Sequence, residues 1–171
     1  MDWVSFTKAL KTVVFSHLAV YNHLHKNVKN VRVGISENIV VYRPKTGFNV
    51  VDNVLCKNVD MLMNQLLLKT FTTAELNIKF YFPTYIQLNE KLDNVCLDFV
   101  GLNHYNECLV GFAPMTEDKI VIDMKHGEWP TTVMVWSWVY DSLYVACKVV
   151  YEKYKLPIYI TENGLCQDGV N

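Results

Sequence analysis

PIYITENG, from Pro157 to Gly164, is the stretch of sequence that decides the fold of this chain. Ile158 to Ile160 form an apolar run without polar alternation, which predicts a parallel strand buried on both faces. Pro157 can open that strand without removing a hydrogen bond from the sheet. Glu162 follows where the strand ends, and α/β folds keep their chemistry at the carboxyl ends of their strands. We therefore expect Glu162 at the C-terminal mouth of a sheet or barrel.

Two simpler interpretations of this stretch stay open from these residues alone. Asn163-Gly164 is the strongest short-range signal for a β-hairpin, but a hairpin needs a returning apolar strand and only residues 165–171 follow. Glu162 could also be an ordinary solvated loop acid, which is the default for a lone glutamate. Only the other motifs of the chain favour a functional site.

The composition predicts one globular domain without a nucleic-acid partner. The 171 residues are 51% hydrophobic and 13% aromatic, which supports a sizeable core and argues against disorder. The net charge is −1 and only Arg32 and Arg43 are arginines, so there is no basic stripe for nucleic acid. No apolar run approaches the roughly 18 residues of a membrane span, and no signal peptide is visible. We expect a soluble chain, and its compartment stays open.

Cysteines and histidines form no pattern typical of a metal site or a disulfide framework. The five cysteines are odd in number, widely spaced and without a CxxC pair, so we expect buried free thiols. His23 and His25 are two positions apart, which on a helix points them to different faces. His17 lies on an apolar helical face and is expected to pack there. We predict no metal ion and no other cofactor.

Amphipathic helices alternate with short strands along the chain. Apolar residues at steps of three and four predict helices over 6–24, over 54–66 with Asp52 as the N-cap, and over 143–154. The run Val31–Ile35 alternates as a short strand does. One α/β unit is the economical interpretation.

A second strand ends in a cluster of polar side chains. Leu97–Leu102 is an apolar run, and Asn103, His104 and Tyr105 follow it, so we expect these three residues at the same mouth as the first glutamate. The segment 70–94 carries both helix and strand signals, so we assign it no secondary structure. After Gly111 we expect a loop that contains Pro114, Gly127 and Pro130.

Four stretches, in the same order and with similar spacing, resemble glycoside hydrolase family 1, the retaining β-glucosidases and their relatives. PIYITENG is similar to the family's nucleophile motif on its seventh barrel strand, and DFVGLNHY, Asp98–Tyr105, is similar to the sixth strand. VGISENIVVYRP, Val33–Pro44, resembles the fifth strand, with Val41 where the family usually has tryptophan. WSWVYDSLY, Trp136–Tyr144, resembles the segment that leads into the seventh helix.

The resemblance implies an α/β fold that is a partial (β/α)8 barrel, the TIM barrel, which takes about 250 residues in full. Residues 1–171 would form one incomplete segment with the equivalents of strands five, six and seven and their helices. Strands one to four and strand eight would be missing, together with the family's acid/base glutamate in its Asn-Glu-Pro motif. Asn89-Glu90 and Asn106-Glu107 both lack the proline and follow the fifth strand. A complementary barrel segment is therefore a candidate partner.

The resemblance also assigns roles at the mouth. Glu162 would be the nucleophile that attacks the anomeric carbon of a β-glycoside, Tyr105 would hydrogen-bond its carboxylate, and Asn103 would line the same pocket. Without the family match, Tyr105 would be interpreted as a strand-end tyrosine with a buried ring and a wet hydroxyl. Three tryptophans are candidate sugar platforms and equally candidate core residues: Trp129, Trp136 and Trp138.

Two functions from different classes follow. The first is hydrolysis of O-glycosyl bonds by a retaining mechanism as part of a longer or complemented barrel, with the isolated chain nearly inactive. The alternative is a degenerate, catalytically dead relative that binds a sugar or a protein, which the missing tryptophan at Val41 and the altered segment Leu68–Phe82 support. Nothing in the sequence specifies the sugar or the aglycone.

Overall fold

The computed structural model describes residues 3–80, 86–116, 119–124, 136–137 and 139–164. The helices in these ranges are α1 (Trp3–Asn27), α2 (Val50–Asp60), α3 (Leu66–Thr73) and α4 (Ser142–Tyr154), and a π-helical segment, Met61–Gln65, joins α2 to α3. The strands are β1 (Gly34–Asn38), β2 (Val41–Pro44), β3 (Glu75–Phe80), β4 (Ile86–Lys91), β5 (Phe99–His104), β6 (Glu107–Phe112), β7 (Ile120–Asp123) and β8 (Ile158–Asn163).

A parallel sheet in the order β1-β5-β8 forms the centre of the fold. β1 pairs with β5 from Gly34 opposite Phe99 to Asn38 opposite Asn103. β8 pairs with the other side of β5 and ends with Asn163 opposite His104. Because the three strands run in the same direction, their carboxyl ends lie at one edge of the sheet. The three strands predicted from sequence are confirmed as members of this sheet, although β1 begins three residues later than predicted.

A second sheet, β2-β6-β7, extends the fold beyond that edge. β2 and β6 each follow a central strand after two residues and pair in parallel, while β7 is antiparallel to β6. The sequence analysis does not predict this sheet. It expects a loop after Gly111, where the chain instead continues β6 and returns as β7; of the expected loop residues, Gly127 and Pro130 lie outside the described ranges. No turn signal separates β5 from β6, so the pattern gives no sign of a new strand.

Helices α1, α3 and α4 share one apolar core with the central sheet. The core includes Leu10, Val14, Leu18, Leu66, Leu68, Phe71, Val100, Leu102, Ala146 and Val150. His17 packs its ring 4.2 Å from that of Phe71, and its Nε2 lies 2.7 Å from the carbonyl oxygen of Cys96, so it is the packing residue predicted. No helix in the described ranges has both the length and the apolar character that a membrane crossing requires.

The N-terminus of α2 differs from the prediction. Asn49, not Asp52, is the N-cap, and its side chain accepts a hydrogen bond of 2.9 Å from the backbone of Val51. Asp52 is buried and its carboxylate accepts hydrogen bonds from the backbone of Phe112 at 2.7 Å and of Thr46 at 3.1 Å. The prediction of Asp52 as a cap is wrong because this carboxylate satisfies a neighbouring strand and loop instead of its own helix.

The apolar face predicted for 54–66 is only partly buried. Leu55 and Leu66 are buried, whereas Val54 and Met63 are more than half exposed. The π-helical segment Met61–Gln65 lies within this stretch, and its wider turn shifts the side chains that follow relative to a regular helix. The regular 3.6-residue period assumed from the sequence therefore does not continue through the whole stretch.

The segment with mixed signals contains the end of α3 and an antiparallel hairpin. Ala74 ends α3 in the left-handed conformation, with φ at 58°. β3 and β4 then pair antiparallel from Glu75 opposite Lys91, and the inward side chains of β3, Leu76 and Ile78, join the main core. The backbone nitrogen of Leu92 closes the unit on the carbonyl of Ala74 at 2.8 Å.

β8 is an edge strand rather than a strand buried on both faces. Tyr159 and Ile160 are 50% and 54% exposed. Among the described strands, β8 pairs with β5 alone. The prediction of a strand is confirmed and the prediction of its burial is wrong, because an apolar run is covered only where neighbours exist on both sides and both faces.

Candidate functional site

A register shift in the sheet aims Glu162 at the mouth. Pairing of β5 with β8 passes from Leu102 opposite Ile160 directly to Asn103 opposite Glu162, so Thr161 is an extra residue on β8. In regular alternation, two successive residues point to opposite faces of a sheet. The bulge relaxes that rule, and bulges next to active sites commonly re-aim one side chain. Both Thr161 and Glu162 consequently contact groups at the end of β5.

Tyr105 donates a hydrogen bond from its hydroxyl to Oε2 of Glu162, at 2.8 Å. Tyr105 directly follows β5, so the bond joins the ends of two adjacent strands. The hydrogen bond to Glu162, partial burial and the negative charge of that carboxylate all raise the pKa of Tyr105. The contact that the resemblance implied between these two side chains is present in the structure.

Asn103 takes part in a hydrogen-bond cluster with one hydroxyl from each neighbouring strand. Its Oδ1 accepts from Ser36 Oγ at 2.9 Å and from Thr161 Oγ1 at 2.6 Å. The two hydroxyl oxygens are themselves 3.0 Å apart. The side chains that converge at this end of the sheet therefore come from β1, β5 and β8 together. Neither hydroxyl is singled out by the sequence analysis, although both stand in the two strand motifs it quotes.

His104 anchors the same strand end from the opposite face. It is 1% exposed, and its Nδ1 lies 2.6 Å from the carbonyl oxygen of Ile39, the residue that follows β1. The carbonyl of His104 accepts a hydrogen bond of 2.7 Å from Asn163 Nδ2 at the end of β8. Ile39 also donates its backbone N–H to the carbonyl of Asn103 at 2.8 Å. These contacts tie the three strand ends together just outside the cluster of polar side chains.

Asn64, in the π-helical segment, is a further residue that the sequence analysis does not identify. It is buried, and its amide both accepts from Val40 N at 3.0 Å and donates to Val40 O at 2.6 Å. Val40 lies between β1 and β2, where the backbone leaves one sheet and enters the next. The Asn64 side chain satisfies both buried polar groups there. Only the oddly placed buried asparagine within an apolar helical pattern could have signalled it.

Both Asn-Glu pairs of the sequence are engaged away from Glu162. Glu107 is 1% exposed and forms a bidentate ion pair with Arg43, at 2.6 and 2.9 Å, within the second sheet. Glu90, on β4, forms an ion pair with Lys11 of α1. The hydrogen bond that Arg43 donates to Glu107 raises the pKa of Arg43, while burial opposes that rise. These two glutamates have structural partners of their own.

Glu37 is a carboxyl near the end of β1, but it faces the helices. It alternates with Ser36, whose hydroxyl belongs to the cluster at Asn103, so it points to the other face of the sheet. Burial raises the pKa of Glu37 to about 7. On that face, burial, Asp60 and Glu37 together raise the pKa of Tyr154 on α4.

One of the three candidate tryptophans is described next to the site. The ring of Trp136 is half-buried and lies 5.7 Å from the ring of Tyr105. Trp129 and Trp138 lie outside the described residues. Within the described ranges, no group of three or more histidine, cysteine, aspartate or glutamate side chains could hold a metal ion. The described chemistry at the mouth therefore consists of one carboxylate, one phenol, one amide and two hydroxyls.

Comparison with known proteins relates nearly the whole chain to one family. The model of the family "Glycosyl hydrolase family 1" matches residues 2–170. Beta-glucosidase A of Thermotoga maritima is 41% identical over 75 residues, which are 43% of this chain and 16% of that enzyme. A 1,4-beta-D-glucan glucohydrolase of Thermotoga neapolitana is 36% identical over 75 residues, 17% of its length.

Solved structures show the same likeness over more of the chain. A family 1 β-glucosidase from Thermotoga maritima superposes with a TM-score of 0.75 and 26% identity, over 92% of this chain and 36% of its own. A β-glycosidase from Pyrococcus horikoshii superposes with a TM-score of 0.73 and 25% identity, over 91% and 34% of the two chains. The described fold thus matches about a third of a glycosidase chain, and the relatives it matches are considerably longer.

Proposed function

Because the chain belongs to glycosyl hydrolase family 1, we propose that it is a segment of a retaining β-glycosidase in which Glu162 is the nucleophile. One observation carries this proposal: Glu162 ends an edge strand at the mouth of the sheet and receives the hydroxyl of Tyr105 at 2.8 Å. An ordinary solvated glutamate would need neither a bulge that directs its side chain nor a hydrogen bond from a phenol on the adjacent strand. The substrate class is a β-glycoside.

The geometry suits the first half of a retaining reaction. In that step a carboxylate oxygen of Glu162 bonds to the anomeric carbon, while the bond to the glycosidic oxygen breaks and its electron pair leaves with the aglycone. The hydroxyl of Tyr105 donates its hydrogen bond to Oε2, which leaves Oε1 for the attack. Water then hydrolyses the glycosyl ester and restores the carboxylate. Asn103, opposite Glu162 in the strand register, contacts the sugar in this proposal.

In this proposal a complementary barrel segment supplies the second carboxyl of the mechanism, because the sequence contains no Asn-Glu-Pro motif. Retaining enzymes place an acid/base carboxyl about 5 Å from the nucleophile. Glu107 and Glu90 are paired elsewhere, and Glu37 faces the helices. Acid/base assistance is worth roughly 10² to 10⁴ in rate, so the isolated chain reacts only with substrates whose leaving group needs no proton.

The three parallel strands correspond, in this proposal, to strands five, six and seven of the barrel. β1, β5 and β8 follow one another through helical crossovers, in the order that successive barrel strands take. Residues 1–171 then form one incomplete barrel segment rather than a self-contained domain. Among the described strands, β1 and β8 are the two edges of the central sheet, and in this proposal neighbouring strands of a longer product or of a complementary segment pair there.

A mechanism-based label tests the role of Glu162 directly. The probe is 2,4-dinitrophenyl 2-deoxy-2-fluoro-β-glucoside, whose leaving group needs no acid. Intact-mass measurement of the wild-type chain should show one added fluoroglucosyl group, and Glu162→Gln should show none. Glu152→Gln removes an exposed carboxyl from α4 and should label as the wild type does. A wild-type chain that stays unlabelled, or an adduct mapped to another residue, would contradict the proposal.

The mass of the native product tests whether the chain functions as part of something longer. The product is captured from its source with an antibody against residues 158–164 and mapped by peptide mass. A mass well above 19.8 kDa, with upstream peptides that contain an Asn-Glu-Pro glutamate, supports the barrel segment. A product of 171 residues without a complementary fragment argues against it.

The exposure of β8 favours a second candidate, a non-catalytic module that binds a sugar or a protein. From Tyr159 to Gly164 every residue is exposed, so the mouth is open on one side. A binding module would retain its ligand in Glu162→Gln and would never form the covalent adduct. Isothermal titration of both proteins with deoxynojirimycin, alongside the labelling, distinguishes the two functions.

A further inference from the structure

We infer that Ser36 and Thr161 are positioning residues that fix the amide of Asn103, so that its Nδ2 is presented to a sugar hydroxyl oxygen at the mouth. The inference rests on the proposed glycosidase function and extends it to the recognition of the substrate. The three residues come from three different strands, β1, β8 and β5. Their contacts therefore exist only when the central sheet is correctly assembled.

One end of the Asn103 amide faces both hydroxyls in the structure. Thr161 Oγ1 lies 2.6 Å from the amide atom it contacts. Ser36 Oγ approaches the same atom at 2.9 Å. The amide atom that accepts from both hydroxyls in the structure is Oδ1.

This orientation leaves Nδ2 as a donor for a ligand. Within the described residues, Nδ2 of Asn103 has no hydrogen-bond partner, and the side chain is only partly buried. Asn103 lies opposite Glu162 in the strand register. A donor there suits an acceptor such as a hydroxyl oxygen of the sugar that Glu162 attacks. If the amide were reversed, Oδ1 would face the sugar and could accept but not donate.

Thr161 has two separable functions, which makes it the position to test. Its hydroxyl holds the amide, whereas its methyl group, Cγ2, packs over Gly101, 3.3 Å from the point where a Cβ on that glycine would lie. Valine keeps the methyl and removes the hydroxyl. Serine keeps the hydroxyl and removes the methyl. The pair of variants therefore separates orientation of the amide from packing of the strand.

The experiment measures the labelling rate of the chain with the same fluoroglucoside. We expect Thr161→Val to lower the second-order labelling rate constant about tenfold, as loss of one orienting hydrogen bond does. Thr161→Ser should label at nearly the wild-type rate. Thr12→Val is the matched control, because it removes an exposed hydroxyl that bonds only to the backbone of its own helix α1, 3.1 Å away.

The form of the loss distinguishes positioning from instability. A partly unfolded variant labels a smaller fraction of its molecules at an unchanged rate, whereas a misplaced amide lowers the rate for every molecule. Wild-type rates in Thr161→Val would overturn the inference. Equal losses in Thr161→Val and Thr161→Ser would also overturn it, because packing would then be the cause.

A second measurement decides the orientation without any activity. In a crystal structure of the chain at a resolution better than about 1.2 Å, the hydrogens of the Asn103 amide become visible. Oδ1 toward Thr161 supports the inference, and Nδ2 toward Thr161 overturns it. If the wild-type chain does not label at all, the proposed function fails, and this measurement still decides how the amide is positioned.

Discussion

The direction of Glu162 depends on its two nearest structural neighbours. The bulge at Thr161 brings the carboxylate to the mouth, and Tyr105 fixes one of its oxygens. Oε2 accepts the hydrogen bond from Tyr105, so Oε1 is the oxygen that the proposed reaction would use. A hydrogen bond to a charged acceptor is about twice as strong as one between neutral groups. The Tyr105–Glu162 bond is therefore the charge-assisted contact described at the site.

The titration of Tyr105 reports this bond directly. Donation to a carboxylate stabilises the protonated phenol, which raises the pKa of Tyr105. In Glu162→Gln the negative charge is gone, so we expect the pKa of Tyr105 to move down toward its ordinary value. The ¹³Cζ resonance of labelled tyrosine, assigned by comparison with Tyr105→Phe, gives the midpoint. Glu152→Gln should leave that midpoint unchanged; an unchanged midpoint in Glu162→Gln would show that the bond does not form in solution.

The sequence predicted the candidate site residues that stand in motifs, but not the residues that hold those side chains and the nearby backbone in place. Glu162, Tyr105 and Asn103 were predictable because each ends an apolar run and belongs to a stretch that resembles a family motif. Ser36, Thr161 and Asn64 were not, because small polar side chains occur at every strand end and turn. What distinguishes them is a partner on another strand or helix, at 2.6 to 3.0 Å, and no local pattern specifies that partner.

At the scale of elements, α1 is fastened to the sheet at the end opposite the mouth. Asp98, just before β5, accepts hydrogen bonds from the hydroxyl of Tyr21 at 2.7 Å and from Nε2 of His25 at 2.8 Å, both on α1. It also accepts from the backbone of Val33, just before β1, at 2.8 Å. One carboxylate thus joins a helix to two strands. The candidate site lies at the opposite ends of these strands and takes no part in this contact.

Low pH should weaken the contacts of Asp98 with α1 and β1. Burial acts to raise the pKa of Asp98, but the hydrogen bonds from Val33, Tyr21 and His25 outweigh it and lower that pKa. The unfolded chain therefore binds the proton first, and the stabilisation by Asp98 is lost as the pH falls below about 4. We expect Asp98→Asn to reduce the free energy of unfolding by about 1–2 kcal/mol at neutral pH.

Urea denaturation of the wild type and the variant at several pH values measures this contribution. The difference between the two proteins should be constant near neutrality and should shrink toward zero in the acid range. Asp93→Asn, a change at an exposed aspartate five residues earlier, should cost less than about 0.5 kcal/mol at every pH. A difference between wild type and Asp98→Asn that persists unchanged at low pH would contradict the role of the carboxylate.

The predictable elements are those with a long local period. Helices α1 and α4 and strands β1, β5 and β8 follow from apolar spacing, which depends only on neighbours within one turn or one strand. Strand β3 reads ELNIKF, in which polar and apolar residues alternate strictly, so this strand was predictable although the sequence analysis does not identify it. The sheet β2-β6-β7 pairs β2 with a distant segment, and its short strands carry no such alternation. The mistaken N-cap has the same origin, because the partners of Asp52 belong to a strand sixty residues away and to a loop outside the helix.

At the scale of the whole molecule, the central sheet is open on both sides within the described residues. Among the described strands, β1 and β8 each pair with β5 alone, so one side of each strand has no described strand beside it. Natural proteins cover or charge such edges, because uncovered ones pair with other chains. On β8 the edge also carries Tyr159 and Ile160, which are half exposed. The burial predicted for this strand is what a neighbouring segment would supply.

The isolated chain should therefore self-associate through β8, and a charge on that strand should weaken the association. Ile160 is 54% exposed on the edge strand, and Val20 is 53% exposed on α1, whose backbone is satisfied within the helix. We expect Ile160→Lys to raise the concentration at which association begins about tenfold, because it removes apolar burial and adds charge repulsion. Val20→Lys adds the same charge and should have little effect. Sedimentation velocity over a concentration series measures both, and equal shifts in the two variants would show that net charge, not the open strand edge, controls association.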